Sequence, residues 1–118
     1  MSSLERTANS LWQMLMHVIW RGHCARCRGI WGTAGHHITK RRYHAVKYAI
    51  MNGILLCASC HEWAENHEQE FLQWLMEKHY SLYEWHMQNL NPPIRRLPAW
   101  EMREIVKQLR VAIKELSK

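Results

Sequence analysis

Residues 36–65 read HHITKRRYHAVKYAIMNGILLCASCHEWAE, and this stretch decides the fold. His36 and His37 are adjacent, Asn52 follows fifteen residues after His37, and His61 comes nine after that. Cys57 and Cys60 form a Cys-x-x-Cys pair against His61, and a matching pair, Cys24 and Cys27, lies upstream. Two kinds of metal-binding residue are thus interleaved in one short unit.

Local signals place these residues on elements. Asn52-Gly53 is a strong turn signal, and Ile54-Leu55-Leu56 predicts a short buried strand ending at Cys57. His36 to Ile38 is expected to form the first strand of a hairpin, followed by a basic loop at Lys40-Arg41-Arg42 and a helical turn within 43–51. After Cys57 a helix is predicted from Ala58 or Ser59 to about Lys78, with Trp63, Ala64, Phe71, Trp74 and Leu75 on its buried side. Upstream, Gly22, Gly29, Gly32 and Gly35 break any helix over 21–35 and leave a knuckle followed by an irregular loop or short strand.

The flanks read as helices. Ser2-x-x-Glu5 is a capping-box pattern, and Leu4, Ala8, Leu11, Leu15 and Val18 recur at helical spacing up to about Trp20. A helix from Ser81 to about Leu90 must stop before Asn91-Pro92-Pro93. The last helix is expected to start around Pro98, with Met102, Ile105, Leu109, Ile113 and Leu116 as its apolar stripe. The expected class is α+β, in one domain over 1–118 with its core at about 21–75 and helical flanks at 2–20 and 80–118.

At 118 residues the chain has room for one core, and 47% apolar content can build it. The formal net charge is +6. From Arg6 to His61 there are eight Lys or Arg residues and no acidic one, and the chain contains no aspartate. Such a segment can approach phosphates without like-charge repulsion, which favours a polyanionic partner; a solubilising charge excess would look the same. Glu5 and Arg6 interrupt any signal-peptide pattern, and no apolar run approaches the roughly 18 residues of a membrane span. Two paired cysteine motifs without a secretory signal point to thiolates in a reducing cytoplasm.

The cysteines follow C-x2-C-x29-C-x2-C. Two-residue spacers let both sulfurs of a turn face one ion, and four thiolates complete a tetrahedral zinc site with no open position. A structural Zn2+ on Cys24, Cys27, Cys57 and Cys60 is therefore expected, with three thiolates plus His23 or His61 as the variant. The long intervening loop carries the histidines, so one zinc would pin both ends of that segment.

Taken together, HHI at 36–38, NGILLCASCH at 52–61 and CARC at 24–27 resemble the HNH nuclease family, specifically its small, zinc-stapled, phage-encoded branch. The resemblance covers about residues 21–75. It implies a ββα-metal core, and hydrolysis of DNA phosphodiesters to 3′-hydroxyl and 5′-phosphate ends in the cytoplasm of a bacterial host. It also implies that His37 is the general base, that His36 and His61 ligate one divalent metal, and that Asn52 holds the hairpin in position. Many relatives carry a further histidine where this chain has Glu65. His61 and Glu65 are four apart on a helix, so Glu65 could be a third ligand or an acceptor for His61, or an ordinary exposed glutamate. Histidine ligands suit transition metals and oxygen suits magnesium, which leaves Mg2+, Mn2+, Ni2+ and Zn2+ open.

Physical chemistry is compatible with these roles. A free imidazole titrates near pH 6.5 and can take a proton at neutral pH. Neighbours on a strand point to opposite faces, so a site that uses both His36 and His37 is expected to need a twist or bulge. Lys40, Arg41, Arg42 and Lys47 fall between the motif parts and are the expected phosphate contacts. Arg103, Lys107, Arg110 and Lys114 form a ridge on the last helix, suited to backbone contacts or to plain solvation. Trp31 and Tyr43 are expected in the core rather than against bases. Two rivals stand beside the DNA endonuclease: a non-catalytic zinc-ribbon module that binds nucleic acid, and a nuclease acting on RNA or branched DNA.

Overall fold

The computed structural model describes residues 2–28, 30–40 and 46–118. It is an α+β arrangement of five α-helices and one antiparallel strand pair. Helix α1 spans Ser3–Ile19, strand β1 Ala34–His37, strand β2 Gly53–Leu56, and helices α2 to α5 span Ala58–Asn66, Glu68–Lys78, Tyr80–Gln88 and Ala99–Leu116. A single 3-10 turn, Ile50–Asn52, leads into β2.

The strand pair is the centre of the molecule. Its register runs Ala34↔Leu56, Gly35↔Leu55, His36↔Ile54 and His37↔Gly53. All four residues of β2 are buried, because alternate side chains enter two different cores. Ile54 and Leu56 pack with Ala64, Phe71, Leu75 and the cysteines. Leu55 packs on the other side with Trp12, Leu15 and Met16 of α1 and Met102, Val106 and Leu109 of α5. A short apolar run between turn signals therefore became a strand covered on both faces. Gly53 is needed there: a Cβ at this position would run into the Trp12 ring and the Met16 sulfur.

The knuckle is stitched to the end of β2. Ala25 N–H donates to the Leu55 carbonyl and Thr33 N–H to the Leu56 carbonyl, both at 2.9 Å. These bonds bring Cys24 and Cys27 alongside Cys57. Helix α1 starts as expected, with the Ser2 hydroxyl accepting from Glu5 N–H at 3.1 Å.

Two expectations need correction. The helix predicted from 58 to 78 is broken at His67, whose φ of −134° and ψ of 60° end α2 before α3 begins. A straight helix of that length would run about 30 Å and carry Leu75 away from the hairpin. The bend instead returns Phe71 and Leu75 to the core that holds Cys57 and Cys60. The other correction is at the histidine pair: the register is unbroken through His37, with no bulge. Helix α5, expected to start around Pro98, has that residue as its N-cap, one residue before the first helical residue, Ala99. No helix among the described residues is long and apolar enough to cross a membrane.

Candidate metal centres and the histidine pocket

Two groups of metal-binding side chains form among the described residues: Cys24, Cys27, Cys57 and Cys60, and separately His36, His61 and Glu65. In each group the ligand atoms all lie within 4.8 Å of one another.

The thiols fit a closed tetrahedral site. Sulfurs each about 2.3 Å from one ion sit roughly 3.7 Å apart. Cys27 Sγ lies 3.2 Å from Cys60 Sγ and 3.9 Å from Cys57 Sγ. The Ser59 hydroxyl and the backbone at Cys60 help hold the Cys57 thiol down at about 6, while burial pushes Cys60 up to about 12. Such a split is expected where closely packed thiols cannot all ionise without a cation between them. Arg26 reinforces the cluster: it donates to Cys60 Sγ at 3.5 Å while its guanidinium lies 3.8 Å over the Trp63 ring. Four clustered thiols are compatible with a structural zinc.

The second group lines an open pocket of about 620 Å³. Strand β1 contributes His36, and α2 contributes His61 and, one turn further on, Glu65 at i and i+4. His61 Nε2 stands 3.4 Å from His36 Nδ1 and 3.0 Å from Glu65 Oε1. Donors about 2.0–2.2 Å from one ion lie roughly 3.0–3.6 Å apart, so one divalent cation fits these three atoms. Burial, and then the neighbouring His61, hold His36 down at about 4, so its imidazole is neutral and its lone pair available at pH 7. The N,N,O donor set suits a first-row transition ion better than an all-oxygen site would.

No protein-family model, curated protein or solved structure matches the chain. The site must therefore be judged on its own geometry.

His37 shares the pocket with His36 although the two alternate along the strand, because His37 is the last residue of β1. Its ring stacks on Trp12 at 4.0 Å between centroids and 8° between planes. His37 Nε2 lies 3.1 Å from the Lys47 carbonyl oxygen. A carbonyl only accepts, so Nε2 carries the proton and Nδ1 the lone pair. Trp12 is itself anchored, its indole N–H donating to the Ala49 carbonyl at 3.1 Å.

Asn52 is fully buried and clamps both ends of the basic loop. Its Oδ1 accepts from Thr39 N–H at 2.6 Å, and its Nδ2 donates to the Thr39 carbonyl at 3.0 Å and the Val46 carbonyl at 3.1 Å. Residue 46 precedes the carbonyl that orients His37, so Asn52 reaches the imidazole through the backbone. Thr39 is held again from α4, its hydroxyl 2.9 Å from His86 Nδ1. Gln13 of α1 bonds the outer edge of β1, accepting from Gly35 N–H at 2.6 Å and donating to its carbonyl at 3.2 Å.

The expected phosphate contacts are placed unequally. Lys40 is exposed at the pocket rim. Lys47 is buried, with its ammonium 5.3 Å over the Tyr48 ring, and is not the surface cation that was expected. Burial follows from its position just before the 3-10 turn, where the chain passes under α5. Arg41, Arg42 and Tyr43 lie outside the described residues. Arg103, Lys107, Arg110 and Lys114 are all exposed on α5, opposite the side that meets α1. Trp31 is 70% exposed, against the expectation of a core residue.

Sequence reasoning missed Trp12, Gln13, Thr39 and His86 as supports of the pocket. Trp12 lies one position past Leu11 of the apolar stripe, and nothing local marks a ring that stacks on a histidine 25 residues away.

Proposed function

We propose that this protein is a metal-dependent endonuclease of the HNH type, built on a ββα-metal core and acting on DNA. The observation that carries the reading is the histidine pocket: an imidazole oriented by a backbone carbonyl beside an N,N,O metal-binding group on one strand pair and the helix after it.

His36, His61 and Glu65 would hold the divalent cation. When bound, that ion supplies positive charge against the phosphate and the leaving oxygen. Glu65 Oε1 stands 3.0 Å from His61 Nε2, close enough for both to face one ion. His37 accepts a proton from water at Nδ1; the water oxygen bonds to phosphorus and the bond to the 3′ oxygen breaks. Trp12 and the Lys47 carbonyl fix the plane and tautomer of that imidazole, and Asn52 holds the preceding Val46 carbonyl. Lys40 at the rim is placed to meet a flanking phosphate.

Plasmid nicking across a divalent-metal titration tests the assignment. His37→Ala is expected to bind DNA nearly normally and to cut at least about 10²-fold more slowly at every metal concentration. His61→Ala should be partly rescued by added metal, because a weakened site can be refilled whereas a missing base cannot. Wild-type cutting by His37→Ala removes His37 as the base, and no metal-dependent cutting by the unaltered protein returns it to a non-catalytic zinc-ribbon module. Linear, supercoiled and branched DNA and RNA, run side by side, separate the substrate alternatives.

A further inference from the structure

Trp31 lies outside the pocket and outside both cores, yet it is held in one orientation. Its ring stacks on His23 at 4.7 Å between centroids and 13° between planes. The two residues pair as an isolated antiparallel bridge, closed by Gly32 N–H donating to the Gly22 carbonyl at 2.8 Å. Gly22 takes a φ of +75°, and a Cβ there would meet the Trp31 ring at 3.0 Å. Glycine is thus required both by the backbone and by the close approach of the indole. The result is a large aromatic surface, backed on one side by an imidazole and presented to solvent.

The surroundings say what suits that surface. His23 also lines a cleft with Arg28, Trp20 and His79, and no carboxylate borders it. Arg28 is close enough to His79 to join burial in disfavouring a charge there, and the buried His79 Nε2 has no partner among the described residues. Arg21 and Arg28 are both exposed, and the whole segment from Arg6 to His61 lacks acidic residues. An aromatic platform beside an acid-free cleft with a guanidinium fits a nucleotide: a base on the ring and its phosphate in the cleft. A paired base keeps both faces in the helical stack, so the platform fits an unpaired one.

We infer that the zinc knuckle carries a second nucleic-acid subsite, in which Trp31 stacks on an unpaired base and Arg28 receives the adjoining phosphate. Trp31 is five residues before His36, at most about 17 Å along extended chain, or roughly five nucleotides at 3.4 Å each. The subsite therefore rests on the nuclease reading for its meaning: it would select a substrate with unpaired bases near the cut. Its binding can be measured without any cutting.

Fluorescence anisotropy with a 12-nucleotide single strand and the duplex of the same sequence tests it, using zinc-loaded protein and no added divalent metal. Trp31→Ala should weaken single-strand binding about tenfold or more while Trp31→Phe keeps most of it, and duplex affinity should move less than about twofold. Arg28→Ala should lower single-strand affinity and reduce its salt slope by about one. Trp100→Ala, an equally exposed tryptophan on α5, should change neither. Unchanged single-strand affinity in Trp31→Ala overturns the subsite. So does an equal loss on strand and duplex, or an equal loss in the alanine and phenylalanine variants of well-folded, zinc-replete protein. A nicking assay in which the unaltered protein fails to cut with any divalent metal would sink the nuclease reading and leave these binding results standing.

Discussion

The cysteine cluster and the histidine pocket lie at opposite ends of the same strand pair, and they differ in burial and in the number of side chains that could hold an ion. Three of the four cysteines are buried, and the four thiols leave no position for a substrate. The histidine group offers three donors, one of them the exposed Glu65, and faces an open pocket. The cysteines are tied by backbone bonds from the knuckle to β2. The histidines are oriented by side chains from further off: Trp12 and Gln13 from α1, His86 from α4 through Thr39. One site holds the chain together; the other is held by it.

Breaking the first site should have the largest effect. Apparent binding energies for structural zinc are about 10–16 kcal/mol, comparable with the whole stability of a domain. Cys57→Ser is therefore expected to yield a molten or aggregated chain by circular dichroism and to lose stoichiometric zinc by elemental analysis. A well-folded, metal-free Cys57→Ser protein would remove the contrast altogether.

Asn52→Ala comes next, because it strips partners from Thr39 N–H, the Thr39 carbonyl and the Val46 carbonyl in a fully buried place. Unpaired buried groups cost about 1–3 kcal/mol each, so with three of them a total loss of at least about 3 kcal/mol in urea denaturation is expected, with zinc content unchanged. A loss within error of zero would mean that the loop does not depend on the asparagine.

Glu65→Gln probes the open site more gently. It keeps an oxygen but removes the charge, so affinity for the second metal should fall about 10-fold while stability and zinc content hold. Isothermal titration of the zinc-loaded protein with Mn2+ or Ni2+ would show it; equal affinity in the variant makes Glu65 an ordinary surface glutamate.

The smallest effect is in the pH dependence of stability. Burial holds His36, His79 and His86 below the usual imidazole value. The unfolded chain takes up these protons from about pH 6.5 downward, and the folded one resists until lower pH. Stability should thus be full above about pH 7 and decline as pH falls, for His36 until about pH 4. Thermal midpoints should drop between pH 7 and pH 5, and His86→Gln should make that drop shallower. A flat profile would place these rings in water.

Much of this was legible in the order of residues. The cysteine spacing announced one tetrahedral site, because two residues between cysteines let both sulfurs of a turn face one ion and nothing more distant is needed. The Asn52-Gly53 turn, the apolar run after it, the Ser2 cap and the proline stop at 92–93 announced the elements, since each acts over a few residues. His61 and Glu65 were paired by helical periodicity alone. The tertiary structure decided what depends on distant partners. His67 ended a helix whose apolar stripe continued past it, because the hairpin core drew Phe71 and Leu75 back. Lys47 went inside and Trp31 outside, against their ordinary preferences, since burial is set by what packs overhead. The tautomer of His37 rests on a carbonyl ten residues on and its plane on an indole 25 residues back; no local pattern encodes either, because both exist only once α1 closes over the strand pair.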